Sequence, residues 1–278
     1  MIQGTSSNSG KSFIVTGLCR LFANMGVRVC PFKSQNMSSN SFALPNGLEI
    51  SYAQALQAQA AKITPQVFMN PIMLKPQHNT SSQVFLNGKL YAPTTANYRD
   101  FTQTIGIQTV RVSLSLIAQN FDAVVIEGAG SPAEVNLNAW EIVNMRIARE
   151  ADVPVILVAD VDRGGALAAV VGTLELLGND RTRVRGIIYN MFRGDIGLFR
   201  DAVRWTENYT GVRVLGVLPY LEDVYLPPED SLSFPAGEKA ASGVDETFRK
   251  IADSLRKNLD VDEITRLALH ANTMPLPG

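Results

Sequence analysis

The sequence predicts an α/β fold: a doubly wound, mostly parallel sheet with a small hairpin insertion and a helical C-terminal tail. Three observations carry that expectation. Short, nearly continuous apolar runs rich in Val and Ile have the composition of strands covered on both faces. Helical patterns separate these runs almost throughout, and that alternation builds such sheets. A polar, glycine-punctuated segment, QGTSSNSGKS, stands between the first apolar residues and the first helical pattern, where an α/β fold binds phosphate.

Taken in order, Met1–Gln3 offers three residues for a strand ahead of that loop, where about five are usual. A helix is expected over Ser12–Met25, a strand over Val27–Phe32 and a helix over Ile50–Ala61. In Ser82–Tyr91, Asn87-Gly88 falls between two short apolar runs, a hairpin signal and an excursion that could cover a substrate. A helix over Arg99–Gln119 precedes strands at Ala123–Ile126, Val153–Ala159, Arg185–Tyr189 and Arg213–Leu218. The helices between them are expected at Glu141–Ala151, Ala166–Leu177 and Ile196–Tyr209. Residues 1–232 therefore form one domain and 233–278 a linker and tail. FPAGEKAASG reads as a loop, Val244–Leu269 as one or two amphipathic helices, and TMPLPG as disordered.

With 46% hydrophobic residues in 278, the chain can bury a sizeable core, and bulk disorder is excluded. A net charge of −1 argues against holding nucleic acid through bulk positive charge. No apolar run approaches the ~20 residues that span a bilayer, and the first residues lack the pattern of a signal peptide. Cys19 and Cys30 fall in apolar patterns and read as reduced core thiols of a cytoplasmic protein. Two cysteines and two histidines, His78 and His270, lie too far apart in sequence to suggest zinc.

Ligands in such sheets sit at the carboxyl ends of strands, so the residues following each strand are the candidates. A strict phosphate loop separates its glycines by four residues; here Gly4 and Gly10 are separated by five, and Thr5 follows Gly4. Backbone N–H groups around Ser9 and Gly10 would surround a polyphosphate such as that of ATP. Lys11 would neutralise its β and γ oxygens, and the Ser12 hydroxyl would reach Mg²⁺. A Lys in the first helical turn opposes the helix dipole and needs an anionic partner. Glu127, in VVIEGAGSP, can bind the same Mg²⁺ from the opposite side. Asp160 and Asp162, in VADVDRGG, are candidates for metal or water positioning, and Arg163 for phosphate charge; a tight turn with an Asp cap is the alternative. Asn190, in IIYNMFRGD, can offer an acceptor and a donor to a nucleobase edge. Lys33 and the amide-rich stretch Gln35, Asn36 to Asn40 suit a polar substrate.

These segments together resemble the cobyric acid synthase family, the glutamine-dependent amidating enzymes of cobalamin biosynthesis. The resemblance rests on QGTSSNSGKS, PFKSQNMSSNS, EISYAQALQAQAA, MNPIMLKP, VVIEGAGSPAEVNL, VADVDRGG, NMFRGD and VLGVLPYL, in the family's order over roughly 1–232. The five-residue spacing beginning Gly-Thr is similar to that of dethiobiotin synthetase, a P-loop NTPase-like fold. The resemblance implies a ligase that uses ATP and Mg²⁺ to phosphorylate four peripheral carboxylates of adenosylcobyrinic acid a,c-diamide; ammonia then displaces the phosphate. It places Lys11, Ser12 and Glu127 at the phosphoryl group, with Lys33 and Asp160 as further catalytic candidates. Asn190 would read adenine, and Gln35, Asn36, Asn40 and Arg163 would meet substrate or phosphate.

The family continues into a glutamine amidotransferase domain with a Cys nucleophile and a His-Glu pair, and the present sequence offers neither. Three readings follow: a fragment, which is favoured; a separate glutaminase subunit; or the use of free ammonia. The short lead-in Met1–Gln3 adds the expectation of clipping at both ends. Competing functions are a dethiobiotin synthetase-like ligase, a MinD/ParA-type regulatory ATPase and an idle nucleotide-binding module. The insertion from Asn36 to Ala96 disfavours the first. Thr5, Ser6 and Ser7, where MinD/ParA proteins carry an early loop lysine, disfavour the second. Intact Lys11, Ser12 and Glu127 disfavour the third. Oligomeric state is left open, a homo-oligomer included.

Overall fold

The structure, a computed structural model, describes residues 1–77, 82–93, 98–222, 224, 226 and 238–270. It opens with β1 (Ile2–Gly4), the glycine-punctuated loop and α1 (Lys11–Asn24). Next come β2 (Val29–Phe32), β3 (Gln35–Met37), β4 (Ser41–Ala43), β5 (Glu49–Ser51) and α2 (Tyr52–Ala60). The insertion continues through β6 (Ile72–Pro76), β7 (Ser82–Leu86) and β8 (Lys89–Pro93) to α3 (Tyr98–Phe101) and α4 (Ile107–Asn120). Then follow β9 (Ala123–Ile126), α5 (Met145–Glu150), β10 (Val155–Asp160) and α6 (Ala166–Leu176). The chain ends in β11 (Val184–Phe192), α7 (Arg200–Thr210), β12 (Val214–Pro219), α8 (Glu238–Asn258) and α9 (Val261–His270).

The expected parallel sheet forms in the order β2-β9-β1-β10-β11-β12. Its centre is joined by a parallel bridge between Ile2 and Glu127 and by Gly128 N donating to Ile2 O at 2.8 Å. Both faces are covered, which is why the strands read as unbroken apolar runs. Along β10, Ile156 and Val158 enter the hydrophobic cluster built with Ile14, Leu18 and Phe22 of α1. Val155, Leu157 and Ala159 enter the opposite cluster with Val110 and Ile117 of α4 and Val170 and Leu174 of α6. This winding brings the carboxyl ends of β1, β2, β9, β10 and β11 to one edge of the sheet.

The hairpin forms as expected, with Asn87 and Gly88 at φ 46° and 80°. The insertion around it is larger: β6 pairs antiparallel with β7 and parallel with β3, and β4 pairs antiparallel with β5. β3, β4 and β5 are three-residue strands rich in amides and hydroxyls. They carry no alternation to read, and their extended shape comes from the pairing partner. Ile50 belongs to β5, so the helix expected from Ile50 starts at Tyr52. A wide π turn over Thr102–Gly106 separates α3 from α4, where one helix was expected. The helix expected from Glu141 starts at Met145, because Glu141 stays outside it as a cap. Its carboxylate accepts from the N–H groups of Val143 (2.6 Å), Asn144 (2.7 Å) and Arg146 (2.8 Å).

The boundary at 232/233, TMPLPG and the side chains of both histidines lie outside the described residues. α8 begins at Glu238, inside the stretch expected to be linker. α8 and α9 bury Phe248, Ile251, Leu255, Ile264 and Leu267 in the cluster that contains α1. Gly17 permits the approach, since a Cβ there would lie 2.5 Å from Leu255 Cδ1 and 2.6 Å from Ile251 Cγ2. Arg20, buried on α1, pairs with Asp245 and lies 5.5 Å from the centre of the Phe248 ring. The tail thus closes one face of the sheet. Cys19 and Cys30 are buried free thiols, and burial pushes both pKa values up.

Candidate active site

The loop after β1 is tethered where it begins, by Thr5 N donating to Val158 O at 2.9 Å. Two glycines set its width. A Cβ on Gly4 would stand 2.1 Å from Ser9 Oγ and 2.9 Å from Lys11 Nζ. Gly10 has φ 92°, and a Cβ there would stand 2.0 Å from Asn190 Nδ2, so both backbone and space demand glycine. Asn190, near the end of β11, donates from Nδ2 to Ser9 O at 3.0 Å and ties the loop to the sheet. Ser9 Oγ is buried without a hydrogen-bond partner, and α1 has neither a capping side chain nor an acidic residue in its first turn. Uncapped N–H groups at a helix start, an unsatisfied hydroxyl and a glycine cradle together fit an anionic polyphosphate. Lys11 Nζ folds over the loop to Ser6 O (2.9 Å) and to Gly130 O (3.0 Å) beyond β9. These carbonyls offset the unfavourable placement of a cation at a helix N-terminus.

Glu127 follows β9 and is 1% exposed. Its Oε1 accepts from Ser12 Oγ at 2.8 Å and from Lys33 Nζ at 2.9 Å, while Oε2 accepts from Gln57 Nε2 at 2.5 Å. Burial alone would push this carboxyl up. The Lys33 charge, with hydrogen bonds from Lys33, Gln57 and Ser12, outweighs burial and holds it below the usual carboxylate range. Glu127 is therefore ionised in the folded chain at neutral pH. An anionic oxygen beside a hydroxyl is a hard donor pair suited to Mg²⁺, which takes its remaining ligands from phosphates and water. No group of three or more His, Cys, Asp or Glu gathers as a metal site among the described residues.

The other candidates surround this point. Asn36, expected to face substrate or phosphate, is buried at 2% exposure. Its Nδ2 donates to Ser51 Oγ and, at 3.3 Å, to Gln54 Oε1; Gln54 Nε2 donates in turn to Gln57 Oε1 at 3.3 Å. A line of buried amides thus runs from Asn36 to Glu127. Gln35 accepts from the Tyr98 hydroxyl, and Asn40 N donates to Ser38 Oγ at 3.1 Å, so both hold contacts within the insertion. Asp160, buried at the end of β10, accepts from Asp162 N at 2.8 Å and pairs with the exposed Arg163 at 3.2 Å. Lys11, Ser12, Lys33 and Glu127 meet directly or through the loop, whereas Asp160 and Arg163 meet each other at the next strand end.

A family model described as the CobQ/CobB/MinD/ParA nucleotide binding domain matches residues 1–234. The chain belongs to that family. Proteins named cobyric acid synthase are similar to this family member over most of its length. One from Geobacillus kaustophilus is 51% identical over 88% of the chain and 48% of its own length. One from Vibrio parahaemolyticus is 44% identical over 98% and 54%, and one from Moorella thermoacetica 53% identical over 84% and 45%. The chain spans about half the length of the curated relatives it matches. The structure overlaps that of a MinD cell division protein from Aquifex aeolicus at 12% identity and TM-score 0.44, covering 91% of this chain and 95% of that one. No helix among the described residues is long and apolar enough to cross a membrane.

Sequence reasoning missed Gln57 and Gln54, and also Asn144, which braces the loop after β9 by accepting from Ala129 N (3.2 Å) and donating to Ala129 O (2.6 Å). A signal for the glutamines was present: in YAQALQAQA they stand three apart, on one helical face of an otherwise small, apolar helix. Amides on a buried face need partners.

Proposed function

We propose that the chain is an ATP-dependent amide ligase of cobalamin biosynthesis, converting peripheral carboxylates of adenosylcobyrinic acid a,c-diamide to the amides of cobyric acid. The observation that carries this reading is the ionised, buried Glu127, shared by the loop serine Ser12 and by Lys33. The similarity to relatives named cobyric acid synthase supplies the substrate class. Residues 1–232 act as the synthetase unit, with 233–278 as the helical segment behind it, in a cytoplasmic protein. A homo-oligomer and a separate glutaminase are compatible with this assignment.

Ser12 and Glu127 would hold Mg²⁺, which would draw charge from the transferring phosphoryl group. Lys11 leaves its two carbonyl partners for the β and γ oxygens of ATP. The N–H groups at the start of α1 and around Ser9 cradle the same phosphates. Asn190, tied to the loop through Ser9 O, is assigned the adenine edge, and Asp160 with Arg163 the neighbouring strand end. Lys33, Gln35 and Asn40 are assigned to the substrate. A substrate carboxylate oxygen attacks the γ-phosphorus and ADP leaves, giving an acyl phosphate. Ammonia adds to the acyl carbon, inorganic phosphate leaves, and the nitrogen gives up a proton to become the amide. The nitrogen comes from free ammonia or from a separate glutaminase.

The test is ADP release by the purified chain with ammonium and adenosylcobyrinic acid a,c-diamide, compared with release in the presence of diaminopelargonate. Stimulation by the corrinoid is expected. Stimulation by diaminopelargonate alone would replace this reading with a dethiobiotin synthetase-like one.

A further inference from the structure

We propose that Gln57 is a positioning residue for Glu127, and that Gln54 and Asn36 behind it hold its amide in the one orientation that serves the carboxylate. The inference rests on the assignment above of Ser12 and Glu127 to Mg²⁺, and it adds three residues which that assignment does not require.

In YAQALQAQA the two glutamines stand three apart and share one face of α2. Alanines 53, 55, 58 and 60 surround them on a helix buried almost all round. Gln54 and Gln57 are 0% and 1% exposed, so both ends of each amide need partners inside the fold. Gln57 Nε2 donates to Glu127 Oε2 at 2.5 Å, and Gln57 Oε1 accepts from Gln54 Nε2 at 3.3 Å. Gln54 Oε1 accepts in turn from Asn36 Nδ2 at 3.3 Å, and the same Nδ2 reaches Ser51 Oγ at the end of β5.

The ionised carboxylate gives this line a direction. A carboxylate without its proton accepts and cannot donate. Gln57 must therefore turn its NH₂ to Glu127, which leaves its carbonyl for Gln54 and the carbonyl of Gln54 for Asn36. Each amide donates toward Glu127, and a flip of any one would set two acceptors or two donors face to face. Amides that merely filled a buried gap would have no such shared polarity.

That polarity bears on the metal assignment. Gln57 holds Oε2, so Oε1 is the oxygen presented to Ser12 Oγ, at 2.8 Å. Mg²⁺ tolerates little departure from octahedral geometry, so the angle at which a carboxylate is offered decides how well it binds. Hydrogen bonds that orient a metal-binding side chain from behind are worth about 10–100-fold in affinity. Asn36 lies in β3, which pairs with β6, so the backing of the carboxylate comes from the insertion and not from the central sheet.

The experiment is titration calorimetry with Mg²⁺ at a saturating concentration of a non-hydrolysable ATP analogue, so that no turnover enters the measurement. Gln57→Met is expected to weaken Mg²⁺ binding by about 10–100-fold, with the affinity for the analogue without Mg²⁺ unchanged. Gln54→Met, which reaches Glu127 through Gln57, should weaken Mg²⁺ binding too, yet add nothing further in the Gln57→Met background. Unchanged Mg²⁺ affinity in folded Gln57→Met, even with a lowered melting temperature, would overturn the proposal, as would additive losses in the double variant. Glu127→Gln in the same titration separates the two readings. Undiminished Mg²⁺ binding there would remove the metal assignment, whereas loss in Glu127→Gln without loss in Gln57→Met would remove the positioning role alone. Should the glutamine variants not fold, a crystal structure of the wild-type chain with Mg²⁺ and the analogue decides. Gln57 Nε2 is expected within about 3.2 Å of Glu127 Oε2 with the metal on Oε1. A metal on Oε2, or Gln57 turned with its carbonyl to the site, would overturn the proposal.

Discussion

Lys11→Ala is expected to reduce ATP-dependent amidation with ammonium by at least about 10²–10³-fold, the loss typical of one group aimed at developing transition-state charge. Lys11 is the loop's own cation, and its Nζ donates to Ser6 O at 2.9 Å and to Gly130 O at 3.0 Å. Removing it leaves two carbonyls at the mouth of the loop, where water can replace the ammonium. The loop ends remain tied by Thr5 to Val158 and by Asn190 to Ser9. Stability should therefore change by no more than about 1 kcal/mol. Rate measurement beside a thermal melt separates these effects. A near-normal rate in a folded variant would show that the loop lysine takes no part in phosphoryl transfer.

Glu127→Gln is expected to act on stability as well as activity, and its effect should depend on pH. The buried Lys33–Glu127 pair would be broken, a change that costs about 3–5 kcal/mol when one partner of such a pair is removed. The folded-state pKa of Glu127 lies below its unfolded value, because the Lys33 charge and three hydrogen bonds outweigh burial. A carboxyl of this kind contributes its stability above the unfolded pKa of about 4.3 and loses it as pH falls through the depressed folded value. The difference between wild type and variant should be full at pH 7 and shrink below pH ~4, where a protonated Glu127 resembles the amide. Urea denaturation at several pH values measures this directly. A pH-independent difference would mean that Glu127 is not ionised in the fold.

How much of this was legible in the sequence depended on what each residue's signal rests on. The central strands were readable because burial on both faces leaves an unbroken apolar run, and Ala123–Ile126 matches its expected bounds. Lys11, Ser12 and Glu127 stood out because each lies in a glycine-punctuated segment after a strand, and the structure brings Ser12 and Glu127 within 2.8 Å. The strands β3 to β6 were not, since backbone pairing rather than side-chain pattern makes them extended. Glu141 reads as an ordinary early helix residue until its three N–H partners reveal a cap. Lys33 was expected to suit a polar substrate, but its pairing with Glu127 depends on β2 and β9 lying side by side, which no local stretch encodes. The amide line from Asn36 through Gln54 to Gln57 arises in the same way, from β3 and α2 meeting across the insertion.

The central claim is that Glu127, Ser12 and Lys11 serve the activation of a carboxylate by ATP. Its most direct test is oxygen transfer: the corrinoid substrate is labelled with ¹⁸O in its peripheral carboxylates and turned over with ATP and ammonium. An acyl phosphate intermediate requires one labelled oxygen to appear in inorganic phosphate for each amide formed. Amide formation with unlabelled phosphate would contradict the account.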